Sequence, residues 1–267
     1  MLRLSELRPV KLPTGARGLR GKGNFMVTAV EHYINILIKL AQAKGRILAP
    51  LDAIKLERRF NEADATLFAD GLDRGLLSID ANGYLVTRDP YQATAWLVER
   101  IPARPGLVRP CWEYLSHGAG YVELIDRLQF PSWAVRFETP DSEHNIGADL
   151  AVLDRAGRVL IMGEAKTEAR ELDKLLVQLK QYCEVDPGPP PPRHRDKAAW
   201  KLAHRLWITR APWLWLVAPG DRRTFEVSYQ PLALQQCDAL PEAEEFGFVP
   251  SFDAEPPRMR LPDLATP

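Results

Sequence analysis

Cysteine is scarce in this chain, and its scarcity removes several functions at the outset. Among 267 residues there are three, Cys111, Cys183 and Cys237. They are widely scattered and odd in number, so neither a zinc knuckle nor a disulfide framework is indicated. Long apolar runs are missing too. Nothing approaches the roughly 20 residues of a membrane span, and the first residues lack the pattern of a secretory signal. A cytoplasmic protein with no membrane partner is the expectation. Net charge is the third absence: 35 Lys and Arg balance 35 Asp and Glu, which does not by itself favour nucleic acid. What remains, 46% hydrophobic and 26% charged residues, describes a globular chain with enough length for two modest domains.

The balanced charge is unevenly spread. Residues 1–24 hold Arg3, Arg8, Lys11, Arg17, Arg20 and Lys22 against Glu6, with four glycines between them. A flexible basic arm of this kind can contact phosphates, and a plain solvated tail is the competing reading. Residues 238–256 carry six acids and no Lys or Arg. The acidic, proline-containing tail 238–267 either folds back on a basic surface, binds a protein partner or stays disordered.

Residues 25–44 place Val27, Val30, Ile34, Leu37, Ile38 and Ala41 at helical spacing, with Gly45 as the stop. A short extended piece at Ile47-Leu48, a second helix from near Leu51, and a third from the N-cap Asn61 to about Arg74 follow. Residues 76–79 and 84–87 then flank an Asn82-Gly83 turn, a hairpin signature. Three helices and a hairpin resemble the winged-helix fold, over 25–105 with its linker. Winged helices commonly present the third helix to duplex DNA. Here that helix holds Glu62, Asp64, Asp70 and Asp73 against Arg74, which repels phosphates. An interaction or scaffolding role is therefore favoured for this part. Asp89-Pro90 is read as opening a helical piece to about Arg100, and Pro102, Pro105 and Pro110 as breaking it. The boundary is set near 105.

The organising stretch is Asp149 to Lys166. Leu150-Ala151-Val152-Leu153 and Val159-Leu160-Ile161-Met162-Gly163 are short apolar runs joined by a Gly157-containing turn, a second hairpin. In an antiparallel pair Asp149, opening the first strand, lies beside Glu164 and Lys166, closing the second. Period-two alternation puts Glu164 and Lys166 on one face and turns Ala165 away. Two carboxylates can hold Mg²⁺ or Mn²⁺ and leave positions for water and phosphate. A lysine beside them can orient the water or offset developing charge. The helix from Glu168 to Tyr182 follows, with Leu172, Leu175, Leu176 and Leu179 on its apolar stripe.

Asp149 with Glu164-Ala165-Lys166 resembles the core motif of the PD-(D/E)XK nuclease superfamily, although Ala148 stands where the proline usually is. Gln178-Leu179-Lys180-Gln181-Tyr182 resembles the Q-x-x-x-Y motif of its RecB-like exonucleases. The likeness covers roughly 111–230. It implies an α/β fold: a restriction-endonuclease-like αβββαβ core over 106–237 behind the winged-helix-like part. By that likeness Asp149 and Glu164 bind Mg²⁺ (or Mn²⁺), helped by the Ala165 carbonyl. Lys166 positions the water, and Gln178 and Tyr182 hold the DNA strand. Such nucleases often draw a further carboxylate from the helix before the sheet, here Cys111 to Leu128, read as interrupted at His117-Gly118-Ala119-Gly120. Glu123 is chosen ahead of Glu113, with an i,i+4 pair to Arg127 as its competitor. His117 is the candidate for the histidine some RecB-like members use, and His144 is a loop histidine within reach.

The remaining signals are weaker. Pro189 to Pro192 cannot pair in a sheet. Arg193, Arg195, Lys197, Lys201 and Arg205 beside Trp200 and Trp207 suit single-strand contact, although tryptophans at helical spacing are more often core. Trp213 to Ala218 reads as a buried strand and Thr224 to Tyr229 as an edge strand. The expectation is a metal-dependent DNA nuclease, with a homo-oligomer left open and a place in prokaryotic defence or mobile-element systems by resemblance alone. The rivals are a non-catalytic adaptor on the same fold and a winged-helix regulator.

Overall fold

The computed structural model describes residues 28–139, 147–189 and 197–248. The basic arm, His144, Arg193, Arg195, most of the proline run and the end of the acidic tail lie outside them. The chain is mixed α/β.

Helix α1 (Ala29–Ala43) starts on a capping box, in which Thr28 accepts from Glu31 N and Glu31 reaches back to Thr28 N, satisfying two orphan donors reciprocally. Strand β1 (Ile47–Leu48), helix α2 (Ala53–Arg59) and helix α3 (Glu62–Asp73) follow. The Asn61 side chain caps α3 by accepting from Ala63 N and Asp64 N. Strands β2 (Leu77–Ile79) and β3 (Tyr84–Thr87) pair antiparallel around Asn82-Gly83, and β4 (Ala95–Trp96) adds to β3. Gly83 has φ +79°, the left-handed backbone that glycine tolerates best.

The helix expected from Pro90 to Arg100 is absent. Asp89 is buried and accepts from Phe137 N, and Ala93 N donates to the Glu138 carbonyl. The backbone of this stretch is thus spent on a neighbouring strand rather than on a helical ladder. Strands β5 (Val98–Arg100) and β6 (Leu107–Pro110) form a hairpin instead, and β6 pairs parallel with β1. The boundary set near 105 falls inside that hairpin.

Helix α4 (Glu113–Asp126) runs without the expected interruption. Its glycines serve close packing: a Cβ on Gly118 would lie 2.7 Å from the Phe68 ring, and one on Gly120 2.9 Å from Leu150. Strands β7 (Val135–Phe137), β8 (Leu150–Leu153) and β9 (Val159–Ala165) then meander antiparallel. Helix α5 (Ala169–Leu179), a 3₁₀ turn at Lys180–Tyr182 and helix α6 (Lys197–Thr209) cross to β10 (Trp213–Ala218), parallel to β9. Strand β11 (Asp221–Tyr229) is not an edge, because β12 (Leu232–Cys237) pairs with it. The six-stranded order is β12-β11-β10-β9-β8-β7.

Alternation along the strands splits the apolar residues between two faces. Leu150, Val152, Ile161, Ala165, Trp215 and Val217 pack with α4, and the same buried cluster continues into Phe68, Tyr33 and Leu37. Ala151, Met162, Leu214 and Leu216 pack with Leu172 and Leu175 of α5 and Leu202 and Leu206 of α6. Helix α3 packs against α1 and α4 through Ala65, Leu67 and Phe68, and its exposed face carries Glu62, Asp70 and Asp73, charges that repel phosphate. The described start of the acidic tail docks through apolar groups. Ala243 is buried, and Phe246 and Phe248 stack against Phe130 at 5.8 and 5.6 Å.

Candidate active site

The Asp149–Lys166 hairpin delivers its charged ends to one place. Leu150 pairs with Gly163, so Asp149 reaches across and its Oδ2 accepts from Ala165 N at 2.8 Å. Gly163 permits this approach, since a Cβ there would lie 2.6 Å from Leu150 Cβ. Lys166 Nζ donates to Glu164 Oε1 at 2.5 Å and to the Ala165 carbonyl at 2.7 Å. The carbonyl expected to face a metal is thus taken up by the lysine.

Helix α4 brings the histidine and a carboxylate. Glu113 and His117 are one turn apart and share a face. His117 is 1% exposed; its Nε2 is 3.6 Å from Asp149 Oδ2 and 3.9 Å from Glu113 Oε1. Its Nδ1 is 2.7 Å from Glu138 Oε1, close but poorly aligned, and neither ring nitrogen completes a hydrogen bond. Donor atoms of Glu113, His117 and Asp149 all lie within 4.8 Å of one another. A buried imidazole with Glu138 against Nδ1 and with Nε2 turned toward two carboxylates has the donor chemistry to take part in holding a cation. The set fits a divalent cation. Glu164 and Ala165 are not among these three donors.

The electrostatics agree with that crowding. Burial alone would lower the His117 pKa, but the Glu138 contact and the charges of Asp149 and Glu113 outweigh it and raise it to about 9. Burial and the Asp149 charge raise the Glu164 carboxyl, with Lys166 and Arg205 opposing. Burial also raises Glu113. For Lys166, burial lowers the pKa, yet Glu164 and Asp149 more than reverse this and raise it. Lys166 therefore stays an ammonium at neutral pH.

Three expected site residues end elsewhere. Glu123 does not join the cluster and does not pair with Arg127; its Oε2 takes Arg222 Nε at 2.8 Å. Arg222 also holds the buried Asp64 of α3 at 2.6 Å. The choice of Glu123 over Glu113 is thus reversed, because α4 crosses the sheet and its last turns meet β11. Gln178 and Tyr182 lie at the far end of α5, which runs back along the sheet from the site. Ten residues of helix separate Gln178 from its Glu168 cap, roughly 15 Å of rise. The Tyr182 ring packs 5.3 Å from Trp200, and its carbonyl accepts from Trp207. Both tryptophans are half-buried packing residues, as their helical spacing favours.

Sequence reasoning missed Glu138 and gave it no role. The signal that could have found it is positional: Glu138 ends β7 beside Asp149, and its N–H donates to the Asp149 carbonyl at 2.8 Å. Neither family models, curated proteins nor solved structures offer a match to this chain.

Proposed function

We propose that the protein is a metal-dependent DNA nuclease. The observation that carries this reading is the buried His117, faced by Glu113 and Asp149, beside the Glu164–Lys166 pair at one strand end. The element order supports it: helix α4, three antiparallel strands, a helical crossover and a parallel strand follow the order of the PD-(D/E)XK core. The N-terminal helices and hairpin act as the winged-helix-like scaffold.

Glu113, His117 and Asp149 would hold Mg²⁺ or Mn²⁺. Such an ion polarises a phosphoryl oxygen and lowers the pKa of bound water. An imidazole among oxygen donors matches Mg²⁺ less well than an all-oxygen set, so Mn²⁺ is expected to support cutting better. Lys166, kept protonated by Glu164 and Asp149, donates to a phosphate oxygen and offsets the charge that gathers there as water attacks. Glu164 holds that ammonium in place and, with its carboxyl raised, can accept a proton from the water.

The test is cleavage of labelled single- and double-stranded DNA with Mg²⁺, Mn²⁺ or EDTA, the wild type beside Lys166→Ala. Metal-dependent cutting that falls at least about 100-fold in the variant, with unchanged melting, is the expected result. Equal cutting by the variant removes Lys166 from the mechanism. No cutting with either metal favours the non-catalytic adaptor. One observation leans that way: the Lys166 ammonium already has two partners within the chain.

A further inference from the structure

A cleft of about 1270 Å³ opens on the side of the site that faces the N-terminal part. It exceeds the roughly 300–1,000 Å³ of small-molecule pockets. Glu113 and Thr167 belong to its wall, so it is continuous with the metal-ligand cluster and with the strand end at Lys166. Five basic side chains line it against three acidic ones, in a chain of zero net charge. Two of the five are already paired, Arg59 with Glu168 and Arg109 with Glu99. Lys44, Arg46 and Arg100 remain as cationic lining.

The same wall carries an exposed aromatic group. Trp96, on the short strand β4, keeps 42% of its surface open, an exposure that an indole ring has little reason to keep in a closed core. Tyr84 meets it edge to face at 4.2 Å, and Lys44 Nζ stands 4.7 Å from its ring centroid. Lys44 lies over the Trp96 ring, so the part of the indole left open offers a base a stacking surface while the ammonium offers its phosphate a counter-charge.

We propose that this cleft is a single-stranded DNA channel, with Trp96, Tyr84 and Lys44 as its base-stacking platform. The proposal rests on the nuclease reading only for what the strand meets at Glu113. Bases of a duplex are stacked inside it and cannot lie on Trp96, whereas every unpaired base has a free face. Helix α3, which would read a duplex groove in a winged helix, exposes Glu62, Asp70 and Asp73, an acidic face that repels the duplex backbone. Lys44, Arg46 and Arg100 along the trough provide the electrostatic track that a single strand follows.

The experiment is fluorescence anisotropy of a labelled 20-nucleotide oligo-dT with the full chain in EDTA, where binding is read without cutting. Trp96→Ala is expected to weaken binding about tenfold, the effect of losing one base–aromatic stack. Trp96→Phe should recover most of it. Lys44→Glu should weaken binding further and reduce its salt dependence. A 20-base-pair duplex should compete at least about tenfold more poorly than oligo-dT. Unchanged affinity in both Trp96→Ala and Lys44→Glu, equal competition by duplex, or no binding by the wild type overturns the channel. The two readings fail separately. Binding that depends on Trp96 without metal-dependent cutting keeps the channel and removes the nuclease. Cutting by wild type and Trp96→Ala alike, with equal affinity, does the reverse.

Discussion

Helix α4 carries two glutamates, Glu113 and Glu123, that end in opposite surroundings. Around Glu123, one guanidinium serves two acids. Arg222 binds Glu123 and the buried Asp64, and also donates to the Ala218 and Asp221 carbonyls. The second Asp64 oxygen accepts from Ser116 and Gly220 N. Every strong group there has a partner, and the cluster ties α3 and α4 to β11. Around Glu113 the balance is reversed. Glu113, Glu138, Asp149 and Glu164 crowd two cations, His117 and Lys166, and the buried imidazole completes no hydrogen bond. Buried polar groups are normally satisfied, so an excess of carboxylate with an unsatisfied ring marks a place kept ready for something else. The first cluster has the balance of a structural one, and the second is the candidate site.

The comparison breaks most sharply at Arg222. Arg222→Ala leaves Asp64 buried beside Glu123 without its counter-charge, and a broken buried pair costs about 3–5 kcal/mol. A large fall in the urea midpoint is expected, with metal affinity per folded molecule unchanged. A small fall would mean that water repairs the cluster and that the two regions differ less than the geometry implies.

The second test uses the site's own titration. In the metal-free protein the His117 pKa is raised to about 9, above the ordinary value near 6.5. A raised folded-state pKa adds stability that is complete below about 6.5 and is lost as pH climbs through 9. Urea midpoints measured in EDTA should therefore fall between pH 6.5 and 9.5 more steeply for the wild type than for His117→Gln. Parallel curves would mean that burial keeps the ring neutral.

How much of this was legible in the sequence follows from the range of each interaction. The meeting of Asp149 with Glu164 and Lys166 depends on one hairpin turn and period-two alternation, both local. The Asn61 cap and the Asn82-Gly83 turn are local as well. The choice between Glu113 and Glu123 is not local. It depends on the angle at which α4 crosses the sheet and on Arg222, some 100 residues later, reaching it from β11. Gln178 and Tyr182 have the spacing of a motif, but the helix that carries them runs away from the strand end, which no spacing can reveal. Asp89 was misread for a similar reason: its carboxylate serves Phe137 N, a partner 48 residues away.

The smallest effect concerns Glu138, which separates a ligand from the residue that aims it. Glu138 sits at φ +46°, uncommon for a residue with a side chain and a local cost of order 1–3 kcal/mol. Its backbone is clamped on both sides, donating to the Asp149 carbonyl and accepting from Ala93 N, and this holds the carboxylate against His117 Nδ1. A carboxylate at Nδ1 fixes the tautomer that leaves Nε2 free toward Glu113 and Asp149, the outer-shell arrangement of metal-bound histidines. Glu138→Ala should weaken Mn²⁺ binding, read by calorimetry without substrate, by about 10–100-fold. Glu138→Gln keeps an oxygen that can accept from Nδ1–H and should recover most of that loss. If Glu138 were itself a ligand, the neutral amide would be nearly as damaging as alanine. Equal losses in the two variants would therefore move Glu138 into the donor set, and no loss in either would leave His117 aimed by packing alone.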